Sequence, residues 1–205
     1  GTRSEVFNGV DVGLNTRFGE GGVFQGGVSI GRTVEDACAV VDQPQDAETG
    51  FGLTVGGTTP GYCKVTRPWA AATQVKFMVV YPLPWNLQTS AVYQNIPGMP
   101  INSTYLAVNA EISPSLGRNL VGRNNVVIDL VPPNTVFEPR LQQVDLRLSR
   151  RFTVGKARFN ANLDLYNAFN ENAVLNQTTR YGPAWGNVVQ VMGGRMLKMG
   201  GEFNF

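Results

Sequence analysis

The stretch Val6-Phe7-Asn8-Gly9-Val10-Asp11-Val12-Gly13-Leu14-Asn15-Thr16-Arg17-Phe18 decides the fold. Its even positions include Val6, Val10, Val12, Leu14 and Phe18, and its odd positions include Gly9, Asp11, Gly13, Asn15 and Arg17. Alternation of this kind sends successive side chains to opposite faces of a β-strand. One face is mostly apolar and the other small or polar, over a length well beyond the five or six residues of an ordinary globular strand. After the turn Gly19-Glu20-Gly21-Gly22 the pattern resumes, with Phe24, Gly26, Val28 and Ile30 against Gln25, Gly27, Ser29 and Gly31, so the two strands form a hairpin.

The same reading extends outward along the chain. Val75, Phe77, Val79 and Tyr81 alternate with Gln74, Lys76 and Met78, and Pro82-Leu83-Pro84-Trp85-Asn86 turns this strand into another over 87–96. Val144, Leu146, Leu148 and Phe152 alternate with Gln143, Asp145, Arg147, Ser149 and Arg151. Beyond the turn at 153–156, Phe159, Ala161, Leu163 and Leu165 alternate with Arg158, Asn160, Asn162 and Asp164. A last strand over 195–205 sets Leu197, Met199, Phe203 and Phe205 against Lys198, Glu202 and Asn204. These seven strands are joined alternately by short turns and by long Gly-, Pro- and Asn-rich segments near 35–72, 97–139 and 171–194.

Segregation of turns and loops by length is the habit of outer-membrane barrels, which have short periplasmic turns and long extracellular loops. Strands of about 9 to 11 residues, tilted near 45°, span the hydrocarbon layer. The expected fold is therefore all-β, an antiparallel transmembrane β-barrel segment with about seven long strands. Val10, Val12, Leu146, Leu148, Leu163 and Leu165 would face lipid. Asp11, Asp145, Arg147, Arg151, Arg158 and Asp164 would face the lumen. The aromatics Phe18, Tyr81, Trp85, Phe152, Phe203 and Phe205 fall near the short-turn ends, as an interfacial girdle requires.

Composition narrows the function classes. The chain has 205 residues, 17 Lys+Arg, 15 Asp+Glu and no His. A formal charge of +2 gives no footprint for nucleic acid. The lack of His removes the commonest general base and the commonest metal ligand, so no enzyme, metal site or cofactor is expected. No apolar stretch is long enough for a transmembrane helix; the longest, 77–85, is broken by Pro82 and Pro84. The start Gly1-Thr2-Arg3-Ser4-Glu5 has neither Met nor an apolar run, which suggests a mature product or a fragment.

The tail carries Leu163-Asp164-Leu165-Tyr166-Asn167-Ala168-Phe169-Asn170, then Tyr181-Gly182-Pro183-Ala184-Trp185, then Gly194-Arg195 and an alternating run to Phe205. In this order the pieces resemble the C-terminus of TonB-dependent outer-membrane receptors. Cys38, the Tyr81-Pro82-Leu83-Pro84-Trp85 segment and Ser115-Leu116-Gly117-Arg118-Asn119-Leu120 resemble the Oar-like branch, which has a carboxypeptidase-regulatory-like N-terminal domain. The resemblance implies that residues 1–205 are the C-terminal portion of a 22-strand barrel, without its plug and N-terminal strands. It implies energy-coupled uptake of a bulky ligand. The partners would be outer-membrane lipid, the rest of the receptor, a TonB-type coupling protein, the outer-membrane assembly machinery and an unknown extracellular ligand. Phe203 and Phe205 would form the assembly signal.

In a chain bound for an oxidising compartment, Cys38 and Cys63 are expected to form a disulfide stapling the first long loop. Free thiols or a two-Cys metal site are the alternatives. Glu35, Asp36, Asp42, Asp46 and Glu48 read as a solvated acidic loop and lack the spacing of a calcium loop. Arg140, Arg147, Arg150, Arg151, Lys156 and Arg158 gather six of the 17 basic residues around one turn, with structural pairing as the default. Asn102-Ser103-Thr104 and Asn176-Gln177-Thr178 match glycosylation acceptors. Two rivals remain open. One is a small standalone barrel for adhesion or structure, closed by an extra strand from 105–112 or 126–131; the other is a secreted soluble β-sandwich that binds glycans.

Overall fold

The computed structural model describes residues 4–38, 62–122, 124–155 and 157–204. In chain order the strands are β1 (Ser4–Phe18), β2 (Gly22–Asp36), β3 (Lys64–Arg67), β4 (Gln74–Leu83), β5 (Leu87–Ile96), β6 (Thr104–Val108), β7 (Asn125–Asp129), β8 (Leu141–Val154), β9 (Ala157–Tyr166), β10 (Val174–Gln177), β11 (Val188–Val191) and β12 (Met196–Asn204). Among the described residues two helices, α1 (Trp69–Ala72) and α2 (Asn109–Leu116), lie within the long connections. The seven long strands β1, β2, β4, β5, β8, β9 and β12 are antiparallel neighbours in that order, and β3 pairs with the far end of β2.

The pairing register turns the alternation of single strands into two continuous faces. On one face Thr16, Phe24, Val79, Ala91, Leu146, Leu165 and Leu197 stand side by side across all seven strands. On the other, the corresponding row is Arg17, Val23, Val80, Ser90, Arg147, Asp164 and Lys198. Val10, Val12, Leu146, Leu148, Leu163 and Leu165 share the first face, as the alternation predicts. Among the described residues nothing covers it: Val12 is 64% exposed and Met199 77%. The only buried apolar residues described are Ala37, Val65, Ala71, Ala107 and Ala173, so no core underlies the sheet.

The rows also drift along the strands. Thr16 stands two positions from the end of β1, Val79 four from the end of β4 and Leu146 eight from the end of β8. Each hairpin therefore reaches further than the one before, a stagger of the kind that accompanies strand tilt in a curling sheet. Glycines permit the close approach of strands at the first hairpin: a Cβ on Gly27 would come 2.5 Å from the Val12 carbonyl oxygen.

The sheet is open. β1 and β12 each pair on one side only and are not joined to each other, so the described strands form no closed barrel. The segments 105–112 and 126–131 do not supply a closing strand. β6 and β7 instead pair with each other in a separate two-stranded sheet, and 109–116 is helical because Gly117 (φ 73°) ends a turn that Glu111 begins. β10 and β11 make a second small sheet.

Candidate functional site

The polar face carries a cavity. Its volume is about 840 Å³; polar-face residues such as Arg147, Ser149, Arg151, Asn160, Asn162 and Glu202 line most of it, and at the β4–β5 turn it reaches past the strand ends to Leu83, Trp85, Leu87 and Arg150. Val23, Met78, Val80 and Val92 follow the polar-face parity of β2, β4 and β5, so this wall has an apolar island beside its charged half. The alternation read over 74–81 sets Met78 with Gln74 and Lys76 on the polar side, and the register adds Val23, Val80 and Val92 beside it.

At the centre, Arg147 grips Asp164 across the β8–β9 pair with two bonds, Nε to Oδ1 at 2.5 Å and Nη2 to Oδ2 at 3.1 Å. The two-pronged geometry matches a planar guanidinium to a carboxylate. Asp164 is buried at 4% exposure while half of the Arg147 side chain remains open to the cavity. Asp145 takes no arginine. Its carboxylate accepts from the Gln143 amide at 2.9 Å and from the Asn167 backbone N–H at 2.8 Å, because the register sets it opposite Val92.

The remaining charged candidates are spread out rather than brought together. Asp11 lies beside Ser29 on β1, Arg151 opposite Asn160, and Arg158 between Thr153 and Asn204. Arg158 and Asp164 share a strand but lie about 20 Å apart by strand rise, so they cannot pair. Cys38 and Cys63 are bonded, Sγ to Sγ at 2.00 Å. Beside them Asp36 pairs with Lys64 at 3.1 Å. Phe203 stands opposite Phe159 on the apolar face. Asp42, Asp46, Glu48, Lys156 and Phe205 lie outside the described residues.

At the loop end, side chains do work that alternation does not reveal. Asn167 and Asn170 both take left-handed backbone, φ 50° and 55°. The Asn167 amide donates to the Glu171 and Gly193 carbonyls and its oxygen accepts the Glu171 N–H, all at 2.8 Å; Asn170 accepts the Arg195 N–H at 2.9 Å. The Asn-x-x-Asn spacing thus knots the end of β9 to the start of β12. Arg140 reaches Asn95, the Ala70 carbonyl and the Thr73 carbonyl, fastening α1 to the sheet.

The loops bind one another as well. Tyr181 N–H donates to the Thr104 carbonyl at 2.7 Å, and the Trp185 indole donates to the Asn102 carbonyl at 3.1 Å. Between β6 and α2 lies an apolar groove of about 610 Å³ lined by Tyr105, Ala107, Ile112, Leu116 and Ile128. Glu111 sits at its rim, accepting the Tyr105 hydroxyl at 2.5 Å and the Val108 N–H at 3.1 Å. Those donors hold the Glu111 carboxyl below the usual carboxylate range, while the carboxylate raises the Tyr105 phenol. Val108 has no side-chain acceptor, so the helix start has one half of a capping box.

No protein-family model matches the chain, and neither a curated protein nor a solved structure is significantly similar to it. Family and activity therefore rest on the residues themselves.

Proposed function

We propose that the chain forms part of the wall of a bacterial outer-membrane β-barrel, with its apolar face in lipid, its polar face toward a lumen and its long loops outside. The sidedness of the sheet carries this reading. Apolar side chains crowd the uncovered outer face while the Arg147–Asp164 pair and the amide bonds of Asp145 are confined to the inner one. In water such an outer face is a large aggregation liability, whereas in a bilayer it is the solvated surface. The open edges of β1 and β12 must then be closed by further strands, since lipid does not tolerate unpaired backbone.

Within that class we assign the wall to a TonB-dependent receptor for energy-coupled uptake of a bulky ligand. The assignment rests on the resemblance of the tail, where Asn167 and Asn170 brace the Gly194-Arg195 lead into β12. In that role the loops, tied together through Trp185 and Arg140 and stapled by Cys38–Cys63, would capture ligand, and the wall would act as a conduit without catalysis. The intact protein is expected to sediment with bilayers and to require detergent for extraction. A stable monomer in plain buffer would contradict the membrane reading.

A further inference from the structure

The outer-face positions described in β4, β5, β8, β9 and β12 hold one charged residue, Arg150. Parity sets it between Leu148 and Phe152, and the register sets it opposite Leu87 on one side and Ala161 on the other. Its guanidinium carbon lies 4.8 Å from the centroid of the Phe152 ring, within the range of a cation–π contact. No ion pair or hydrogen bond among the described residues engages that guanidinium. A lone cation on an apolar wall needs a reason.

The position supplies one. Leu87 is the first residue after the three-residue turn Pro84-Trp85-Asn86, in which Trp85 and Asn86 take left-handed backbone with φ 63° and 57°. The β8–β9 hairpin runs on past that turn, with the Arg151 N–H donating to the Asn86 carbonyl. Trp85, 79% exposed, and Arg150 both line the turn end of the cavity, where it reaches past the polar face. One outer-face step further from the turn than Arg150, Leu148, Leu163 and Met199 form an apolar track across β8, β9 and β12.

We propose that Arg150, steadied on the Phe152 ring, binds the phosphate of an anionic phospholipid headgroup at the short-turn surface of the membrane, with the acyl chain lying along the Leu148–Leu163–Met199 track. The inference rests on the membrane reading and adds to it a defined lipid site. An arginine near the bilayer surface keeps its charge at little cost, and its stem covers apolar wall while the head reaches phosphate. A turn-level tryptophan fits the same interfacial depth.

The test is native mass spectrometry of the intact detergent-extracted protein titrated with phosphatidylglycerol. Arg150→Gln should weaken retention of the first lipid about fivefold, the change corresponding to ~1 kcal/mol per surface arginine. Arg150→Lys should restore most of it, and Arg32→Gln, on the outer face at the loop end, should change nothing. Phe152→Leu keeps the charge and removes the ring, so a smaller loss is expected there even if Arg150→Gln assembles poorly. Unchanged retention in both Arg150→Gln and Phe152→Leu would overturn the site while leaving the membrane reading intact. Displacement of the lipid by equimolar inorganic phosphate would assign the site to a free anion and overturn the lipid occupant. A protein that needs no detergent would overturn the reading beneath both.

Discussion

The two faces of the sheet take alternate residues from the same strands, yet they are held by different forces. On the apolar face Leu146, Leu163 and Leu197 need only an apolar neighbour, and one branched side chain serves nearly as well as another. The polar face is specific. Arg147 fits Asp164 and no other carboxylate, Asp145 fits Gln143 and the Asn167 backbone, and Gln94 donates to Gln143 at 3.0 Å. One face thus fixes where the sheet can reside and the other fixes how its strands register, so substitutions on the two should fail in different ways.

The sharpest contrast is a charge placed on each face of β8. On the proposed reading Leu146→Arg should lower folding stability in bilayers by about 2–4 kcal/mol, because the guanidinium meets hydrocarbon. Gln143→Arg on the opposite face should cost far less, since an arginine there can still donate to Asp145. Equal losses in denaturant titrations of the reconstituted protein would erase the distinction between the faces.

Next in size is Asn167→Ala, expected to cost about 2–3 kcal/mol, because it removes three part-buried hydrogen bonds, to the Glu171 N–H and to the Glu171 and Gly193 carbonyls, and puts alanine in left-handed backbone. Asn167→Gly, which keeps the backbone but not the amide, should recover about 1 kcal/mol of that loss. A glycine variant no better than alanine would show that the bonds alone matter.

Arg147→Ala should cost about 1–2 kcal/mol, reduced from the full value of a buried pair because half of the arginine side chain is open. The double variant with Asp164→Asn should be milder than the sum of the singles, and strict additivity would refute the pairing. Smallest is Leu163→Val, expected to change stability by less than about 1 kcal/mol because no jigsaw packing is lost on an uncovered face. A loss as large as that of Arg147→Ala would indicate that protein rather than lipid covers Leu163.

Much of the sheet was legible because alternation reports face directly. The strands begun at Val6, Val75 and Val144 and their short turns emerge where the period of two predicts them, and Cys38 meets Cys63. Partner choice was not legible to the same degree. Parity puts Arg151, Arg158, Asp145 and Asp164 on one face with Arg147, but the register set by the β8–β9 hairpin decides that only Arg147 reaches Asp164. The loops were least legible. Their order comes from contacts such as Trp185 with Asn102, 83 positions apart, and Arg140 with Ala70, 70 apart, and no local period encodes those. Arg150 was within reach of parity alone, since it shares its face with Leu148 and Phe152.

The central claim is that one face of this sheet is wet and the other meets lipid, and a spin-label scan along β8 tests it most directly. Single nitroxides at Gln143, Val144, Leu146, Leu148 and Ser149 of the intact protein in bilayers would be probed with oxygen, which concentrates in lipid, and with a water-soluble nickel chelate. Oxygen exposure should peak at Val144, Leu146 and Leu148 while the chelate or a buried environment prevails at Gln143 and Ser149, giving a period of two. Chelate exposure at Val144, Leu146 and Leu148 equal to that at Ser149 would contradict it.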